Sequence, residues 1–214
     1  MDDLDKFCCQ NKKTDPRLRT TPTGHRSKTS RVESDATRFG PEKTGVWDEM
    51  GAQTNMTRLY GRAPIGQRLV DRVPHGHWVN TTHVCCLRYN NIAAPHIFVG
   101  AMSAARFVEY VATILLPTLR KGDIIVMDNL SAHLDGRVVP LIALKGASVL
   151  YLPGYSPDLN PIELSFSKLK SVLRKLKIRD VPALQKFLLE SGSLFAKKEC
   201  QDYFKHDGYN VNKR

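Results

Sequence analysis

A run of four apolar residues, "IIVM" at 124–127, constrains the fold more than any other stretch of the chain. The run stops abruptly at Asp128 and Asn129. A strand that is apolar on both faces has to be covered on both faces, so it belongs in the centre of a sheet that carries helices. The sequence therefore predicts an α/β fold with this strand near its middle.

Other segments predict the remaining strands of the sheet. Residues 78–88 and 92–99 are predicted to form an antiparallel hairpin with its turn at 89–91, and residues 148–152 a second short buried strand. Only Val46 and Trp47 resemble a strand before Asp48, which predicts a short first strand. The order of elements indicates a mixed sheet flanked by helices.

Two helices are predicted between these strands. Ser103 can cap a helix that runs to Pro117, because apolar residues recur after it at helical spacing. A second helical stretch is predicted near 136–145, where Pro140 should kink or shorten it.

The stretch "YLPGYSPDLNPIE", 151–163, leads into the clearest helix of the chain. Asn160 is predicted as its N-cap and Pro161 as its first helical residue. Apolar residues then recur in steps of four and three, at Ile162, Phe166, Leu169, Leu173 and Leu176. Glu163 falls in the first turn, where it either completes a capping box with Asn160 or points into a site.

Three acidic positions could form one metal site. Asp128 follows a buried strand, at the edge of a sheet where ligands usually bind, and Glu163 begins a helix after the next strand. A third carboxylate is available from Asp48 or Glu49. Magnesium prefers a few carboxylates that converge from rigid elements, whereas each of these residues taken alone could simply form a turn or a cap.

The net charge of +11 favours a polyanionic partner, most simply nucleic acid. Residues 164–214 hold 12 basic against 5 acidic side chains. On the helix after Glu163, Lys170 and Arg174 fall within about 20° of its direction and Lys177 lies close by. The candidate DNA-binding residues are Arg58, Arg62, Arg68, Lys168, Lys170, Arg174 and Lys177; a solvated basic surface is the alternative.

Composition also bounds the organisation of the chain. Residues 1–43 carry few apolar groups and are expected to form an irregular arm, followed by a domain at 44–209 and a tail at 210–214. No signal peptide or spanning segment is visible, which favours a cytoplasmic location away from membranes. The cysteines show no zinc-binding or disulfide spacing.

Several motifs together resemble mariner-related DDE transposases of bacterial insertion sequences. They are "MDNLSAH" at 127–133, "YLPGYSPDLNPIE" at 151–163, "SFSKLK" at 165–170 and the segment from "WDEMG" to 78. The 34 residues between the second and third acidic positions of that family are matched by residues 129–162. The resemblance covers about Val46 to Tyr209.

The resemblance implies a ribonuclease-H-like fold and a catalytic, metal-binding triad of Asp48, Asp128 and Glu163. It also implies two magnesium ions, with manganese as a substitute, and DNA cleavage and strand transfer at the ends of a mobile element. Asn129, His133 and Asn160 would support the site; for His133, orienting a ligand competes with a buried or capping role.

The implied partners are DNA and a second copy of the chain in an end complex. Because residues 1–43 lack the apolar period of a helix-turn-helix domain, a separate helix-turn-helix chain is a further expected partner. Two alternative functions remain open: a truncated, inactive transposase that only binds DNA, and a structure-selective nuclease on the same fold.

Overall fold

The computed structural model describes residues 40–58, 60–74, 78–130, 133–154 and 156–209. The predicted tail and all but the last residues of the predicted N-terminal arm lie outside these ranges. Within them, no helix is both long and apolar enough to cross a membrane. The thiols of Cys85, Cys86 and Cys200 are buried and free.

Five strands form one mixed sheet in the order β3-β2-β1-β4-β5. The strands are β1 (Thr44–Ala52), β2 (Thr81–Arg88), β3 (Ile92–Val99), β4 (Ile124–Met127) and β5 (Ser148–Tyr151). β2 runs antiparallel to its neighbours β1 and β3, whereas β1, β4 and β5 are parallel. The predicted hairpin and the predicted buried strand β4 are both confirmed.

The prediction of a short first strand is wrong. β1 is nine residues long and lies in the middle of the sheet, paired along most of its length with β2 and at its start with β4. Its glycines and carboxylates have low strand propensity, but two neighbouring strands satisfy its backbone on both sides. Tertiary pairing therefore outweighs local preference.

Strand β5 is less buried than its apolar sequence predicts. Ser148 is exposed, and residues 149–151 are only half-buried. β5 lies at the edge of the sheet, next to β4 alone, so one side of it stays open. A short apolar run does not distinguish an edge strand from a central one.

Helices cover both faces of the sheet. They are α1 (Ala104–Tyr110), α2 (Val138–Ala143), α3 (Ile162–Leu176), α4 (Val181–Glu190) and α5 (Lys197–His206). Ser103 caps α1 as predicted, and the helix continues through a π turn, Val111–Leu115, to a 3-10 turn. In the short helix α2, Pro140 lies in the first turn, where its missing N–H costs nothing.

Alternate residues of β1 face two separate apolar clusters. Val46 and Met50 pack on one side with α3, α4 and α5, while Trp47 packs on the other with α1 and α2. The three-layer arrangement of helices around a mixed sheet confirms the ribonuclease-H-like fold expected from the sequence. It also places the two residues that follow Trp47, Asp48 and Glu49, in different surroundings.

Candidate active site

The first two acidic positions lie on neighbouring parallel strands. Thr44 pairs with Ile124, and the register continues to the pair Val46 and Val126. Two residues further along both strands, this register sets Asp48 level with Asp128, just beyond the end of β4. Adjacent strands are about 4.8 Å apart, so the two aspartates share one edge of the sheet.

Asp48 is buried and held by two donors. Only 6% of the residue is exposed. Its Oδ1 accepts a hydrogen bond from the backbone N–H of Glu49 at 2.7 Å, and its Oδ2 accepts one from Nδ2 of Asn160 at 2.7 Å. Burial, together with the charges of Asp128 and Glu163, outweighs these hydrogen bonds and raises the pKa of Asp48 to about 7.

Asn160 does not cap the helix as predicted. Helix α3 starts at Ile162 with Pro161 at the capping position, and no side chain caps it. The backbone N–H of Glu163 instead donates to the backbone carbonyl of Asn160 at 3.0 Å. The buried amide of Asn160 turns to Asp48, because a carboxylate that has lost water needs a donor more than the helix end does.

His133 fixes the side chain of Asp128. Its Nδ1 is hydrogen-bonded to Oδ1 of Asp128, and its fully buried ring packs edge-on against Trp47 with a centroid distance of 4.7 Å. Burial lowers the pKa of His133, but the carboxylates of Asp128 and Glu49 outweigh that effect and raise it to about 9. The imidazole is therefore a cation held between two carboxylates near neutral pH.

Glu163 completes the acidic lining of a cleft of about 520 Å³. The cleft is lined by Asp48, Glu49, Asp128, Asn129, Leu130, Leu152, Pro153, Gly154, Ser156, Pro157, Asn160 and Glu163. Glu163 is exposed at the start of α3, and its carboxylate makes no hydrogen bond or ion pair with any other described residue. The proline-rich connection thus forms one wall of the cleft and delivers Glu163 to it.

The carboxylates share this cleft without being assembled as a finished metal site. Among the residues that the structure describes, no three His, Cys, Asp or Glu side chains are grouped closely enough to hold an ion. Asp48 and Asp128 are occupied instead by Asn160 and His133. The donor chemistry nevertheless suits a hard divalent cation, since each carboxylate comes from a different rigid element.

The structure separates the predicted DNA-binding residues into two groups. Arg58 and Arg174 meet in a groove of about 500 Å³, which is also lined by Tyr60 and Lys175. Arg62 and Arg68 are exposed on the irregular segment between β1 and β2, and Lys170 is half-exposed on α3. These five predicted residues lie where a polyanion could reach them.

Lys168 and Lys177 are already paired. The ammonium of Lys168 donates to the carbonyl of Leu194 at 2.7 Å and to both carboxylate oxygens of Glu199 at 2.7 and 2.8 Å. It therefore ties α3 to α5. Lys177 forms an exposed ion pair with Asp71 at 2.6 Å. Basic side chains of α3 can therefore form ion pairs within the protein instead of contacting DNA.

Sequence reasoning missed two contributions to the site. Glu49, named from the sequence only as an alternative to Asp48 for the third carboxylate, lies in the cleft lining 3.5 Å from His133. Arg179 holds the start of the irregular segment that follows β1 by donating to the carbonyls of Thr54 and Met56 at 2.5 and 3.0 Å. The Asp-Glu pair was a usable signal for Glu49, whereas nothing local marked Arg179.

Comparison with known proteins gives a family and a fold. The family model described as DDE superfamily endonuclease matches residues 43–185. No curated protein matches the chain in sequence.

Among solved structures, the Mos1 mariner paired-end complex with Mn is 18% identical, with a TM-score of 0.71 over 85% of this chain and 57% of that one. The Mos1 paired-end complex with the left transposon end is 16% identical, with a TM-score of 0.71 over 96% of this chain and 64% of that one. The catalytic domain of Mos1 mariner transposase is 14% identical, with a TM-score of 0.63 over 87% of this chain and 93% of that one.

At identities this low the likeness shows the fold alone. The chain spans 57% of the length of the transposase in the first of these complexes.

Proposed function

The chain belongs to the DDE superfamily endonuclease family, whose model matches residues 43–185, and we propose that it is a transposase catalytic domain that cleaves and joins DNA strands. The observation that carries this proposal is the cleft in which Asp48, Asp128 and Glu163 meet from three separate elements. Their mutual repulsion and the burial of Asp48 make the site costly without a cation. A divalent ion would offset that cost.

We propose that these three carboxylates hold two magnesium ions, with manganese as a substitute. When bound, such ions supply an activated oxygen nucleophile and stabilise the leaving oxygen of a phosphodiester. The fit rests on the all-oxygen donor set and on the carboxyl of Asp48, which is held with a raised pKa beside two other acids. Mos1 paired-end complexes with Mn and with Mg share the fold.

Neighbouring residues of the chain orient the three carboxylates. Asn160 donates to Oδ2 of Asp48 and so restrains the orientation of that carboxylate. His133 does the same for Asp128. Pro153 and Pro157 stiffen the wall of the cleft that leads to Glu163, which restricts the positions that Glu163 can take.

We propose that DNA lies along the groove of Arg58 and Arg174 and reaches the cleft over Lys170. Guanidinium groups suit phosphate oxygens, and Tyr60, which lines the same groove, offers an aromatic ring on which a base could stack. Because the fold matches paired-end complexes, a homodimer that holds two DNA ends is part of the proposal. End recognition by a separate helix-turn-helix chain stays a prediction.

The direct test is nicking of supercoiled plasmid in magnesium or manganese. The parent should nick the plasmid, Asp128→Asn should lose at least about 100-fold of the rate, and the exposed-residue control Asp202→Asn should match the parent. Asp128→Asn cleaving as well as the parent would contradict the assignment. Salt-dependent DNA binding without nicking would favour an inactive DNA-binding remnant, and cleavage confined to branched or hybrid substrates a structure-selective nuclease.

A further inference from the structure

Two buried polar atoms beside the cleft face each other without other partners. They are Oε2 of Glu49 and Nε2 of His133, which lie 3.5 Å apart. Neither makes a hydrogen bond with the rest of the described chain. Buried polar groups are nearly always paired, and each of these atoms is the nearest complement of the other. The remaining ring nitrogen of His133 is bonded to Asp128.

Strand alternation explains why Glu49 reaches His133 while Asp48 does not. Successive residues of β1 point to opposite faces of the sheet. Asp48 turns to Asn160, on the side of α3. Glu49 shares the other face with Trp47, whose ring packs against both His133 and Phe107 of α1. The two neighbouring acids therefore serve different sides of the site.

Asp128 needs such a tether because it lies just outside the sheet. Strand β4 ends at Met127, so ladder hydrogen bonds no longer fix the backbone of Asp128. The contact from the backbone N–H of Leu130 to its Oδ1 is long, at 3.5 Å. The bond from His133 is the strong constraint on its side chain, and that ring is itself enclosed by aromatic groups.

We propose that Glu49 is a positioning residue that orients the imidazole of His133, which in turn holds the carboxylate of Asp128 for metal binding. This inference rests on the proposed function. Hydrogen bonds from outer groups that orient metal ligands are a recurring way to pre-organise metal sites, and loss of such an outer partner costs about 10- to 100-fold in metal affinity. Glu49 thus acts through His133 and not as a ligand.

The test measures Mn²⁺ affinity of the whole chain by calorimetry without DNA. Glu49→Ala should bind Mn²⁺ about 10- to 100-fold more weakly than the parent. Glu49→Gln should restore most of that affinity, because its amide oxygen can still accept from Nε2 of His133. Glu109→Ala, at an exposed position of α1, is the matched control and should bind as the parent does. The proposal would be overturned if Glu49→Ala bound Mn²⁺ as tightly as the parent, or if Glu49→Gln bound it as weakly as Glu49→Ala.

A second readout needs neither metal nor cleavage. In the metal-free parent, the ¹⁵N-labelled ring of His133 should show an Nε2–H signal protected from solvent exchange. Glu49→Ala should lose that protection, and Glu49→Gln should shift the signal while keeping it. Glu49→Gln is nearly isosteric, so it reports on the contact even if Glu49→Ala does not fold. Ring signals identical to the parent in both variants would overturn the tether.

The two readouts separate this inference from the proposed function. A parent that neither binds Mn²⁺ nor nicks DNA refutes the proposed function and, with it, the role of Glu49 in metal binding. The positioning role alone is refuted if the parent binds Mn²⁺ and nicks DNA while Glu49→Ala keeps full Mn²⁺ affinity and an unaltered His133 signal.

Discussion

Replacing Asp48 by asparagine should stabilise the metal-free protein while it abolishes cleavage. The carboxylate of Asp48 is buried, and its pKa is raised to about 7 by that burial and by its acidic neighbours. Asn160 offers its Nδ2 to Asp48, whereas its own buried Oδ1 has no partner among the described residues. In Asp48→Asn, a flip of the Asn160 amide would turn that orphan oxygen to the new N–H₂ group. The variant thereby removes a buried charge and keeps one hydrogen bond between the two side chains, while the N–H₂ group of Asn160 takes the unpaired position of its oxygen.

The magnitude follows from linkage between protonation and folding. Between its ordinary pKa of 3.8 and the folded value of about 7, Asp48 holds a proton in the folded state and has lost it in the unfolded state. The parent therefore loses stability as the pH rises through this window, at about 1.36 kcal/mol per pH unit. The full difference is about 4 kcal/mol above pH 7, and we expect about 2–4 kcal/mol in measurement.

The assay is chemical denaturation of the parent and Asp48→Asn at pH 4 and pH 8 with a chelator present. The variant should exceed the parent by about 2–4 kcal/mol at pH 8 and by well under 1 kcal/mol at pH 4. Other titrating groups change both proteins alike and cancel in the difference. Asp202→Asn, at an exposed position of α5, should show no such pH-dependent gain. An equal stability difference at both pH values would refute the reasoning.

Three further predictions concern stability and DNA binding. His83 is fully buried, neither ring nitrogen has a partner in the described chain, and burial lowers its pKa to about 4. The parent should therefore lose stability as the pH falls from 6.5 towards 4, and His83→Leu should gain about 1–2 kcal/mol at pH 7 and more at pH 5 in denaturation curves. Lys168→Met breaks the bonds to Glu199 and should cost about 1–2 kcal/mol in the same assay, whereas Lys186→Met, on α4, should cost little. Arg174→Gln should weaken binding to duplex DNA and lower the slope of log affinity against log salt by about 1; an unchanged slope in fluorescence titrations would exclude a phosphate contact.

The sequence predicted the elements whose local signals were complete. Strand β4 and helix α3 were both recognised from the pattern of their apolar residues, which burial on two faces or on one face dictates directly. The helices α4 and α5 were missed, although Asp180 caps α4 by accepting from the backbone N–H of Ala183. Their apolar faces are short and pack on residues distant in sequence. A short stretch of sequence therefore contains too few apolar residues to show a helical period.

The acidic residues of the candidate site could be nominated from the sequence, whereas their hydrogen-bond partners could not. Asp128 and Glu163 could be nominated because the first follows a strand and the second begins a helix, whereas Asp48 or Glu49 was available behind the short apolar pair Val46 and Trp47. The roles of Asn160 and Lys168 depend on which other group lies within reach. In the structure, Asn160 binds Asp48 where a helix cap was predicted, and Lys168 binds Glu199 where a DNA contact was predicted. Hydrogen bonds between residues 112 positions apart leave no mark in local sequence.

By itself, the sequence determined the order of strands and helices as far as α3, the mixed sheet and the residues that could bind a cation, since apolar periodicity and turn chemistry act within a few residues. Only the tertiary structure decided the length of β1, the turn of Asn160 towards Asp48 and the line from Glu49 through His133 to Asp128. Those features depend on burial, which removes water from a carboxylate or an imidazole and forces it to pair with whichever group the packed sheet brings near.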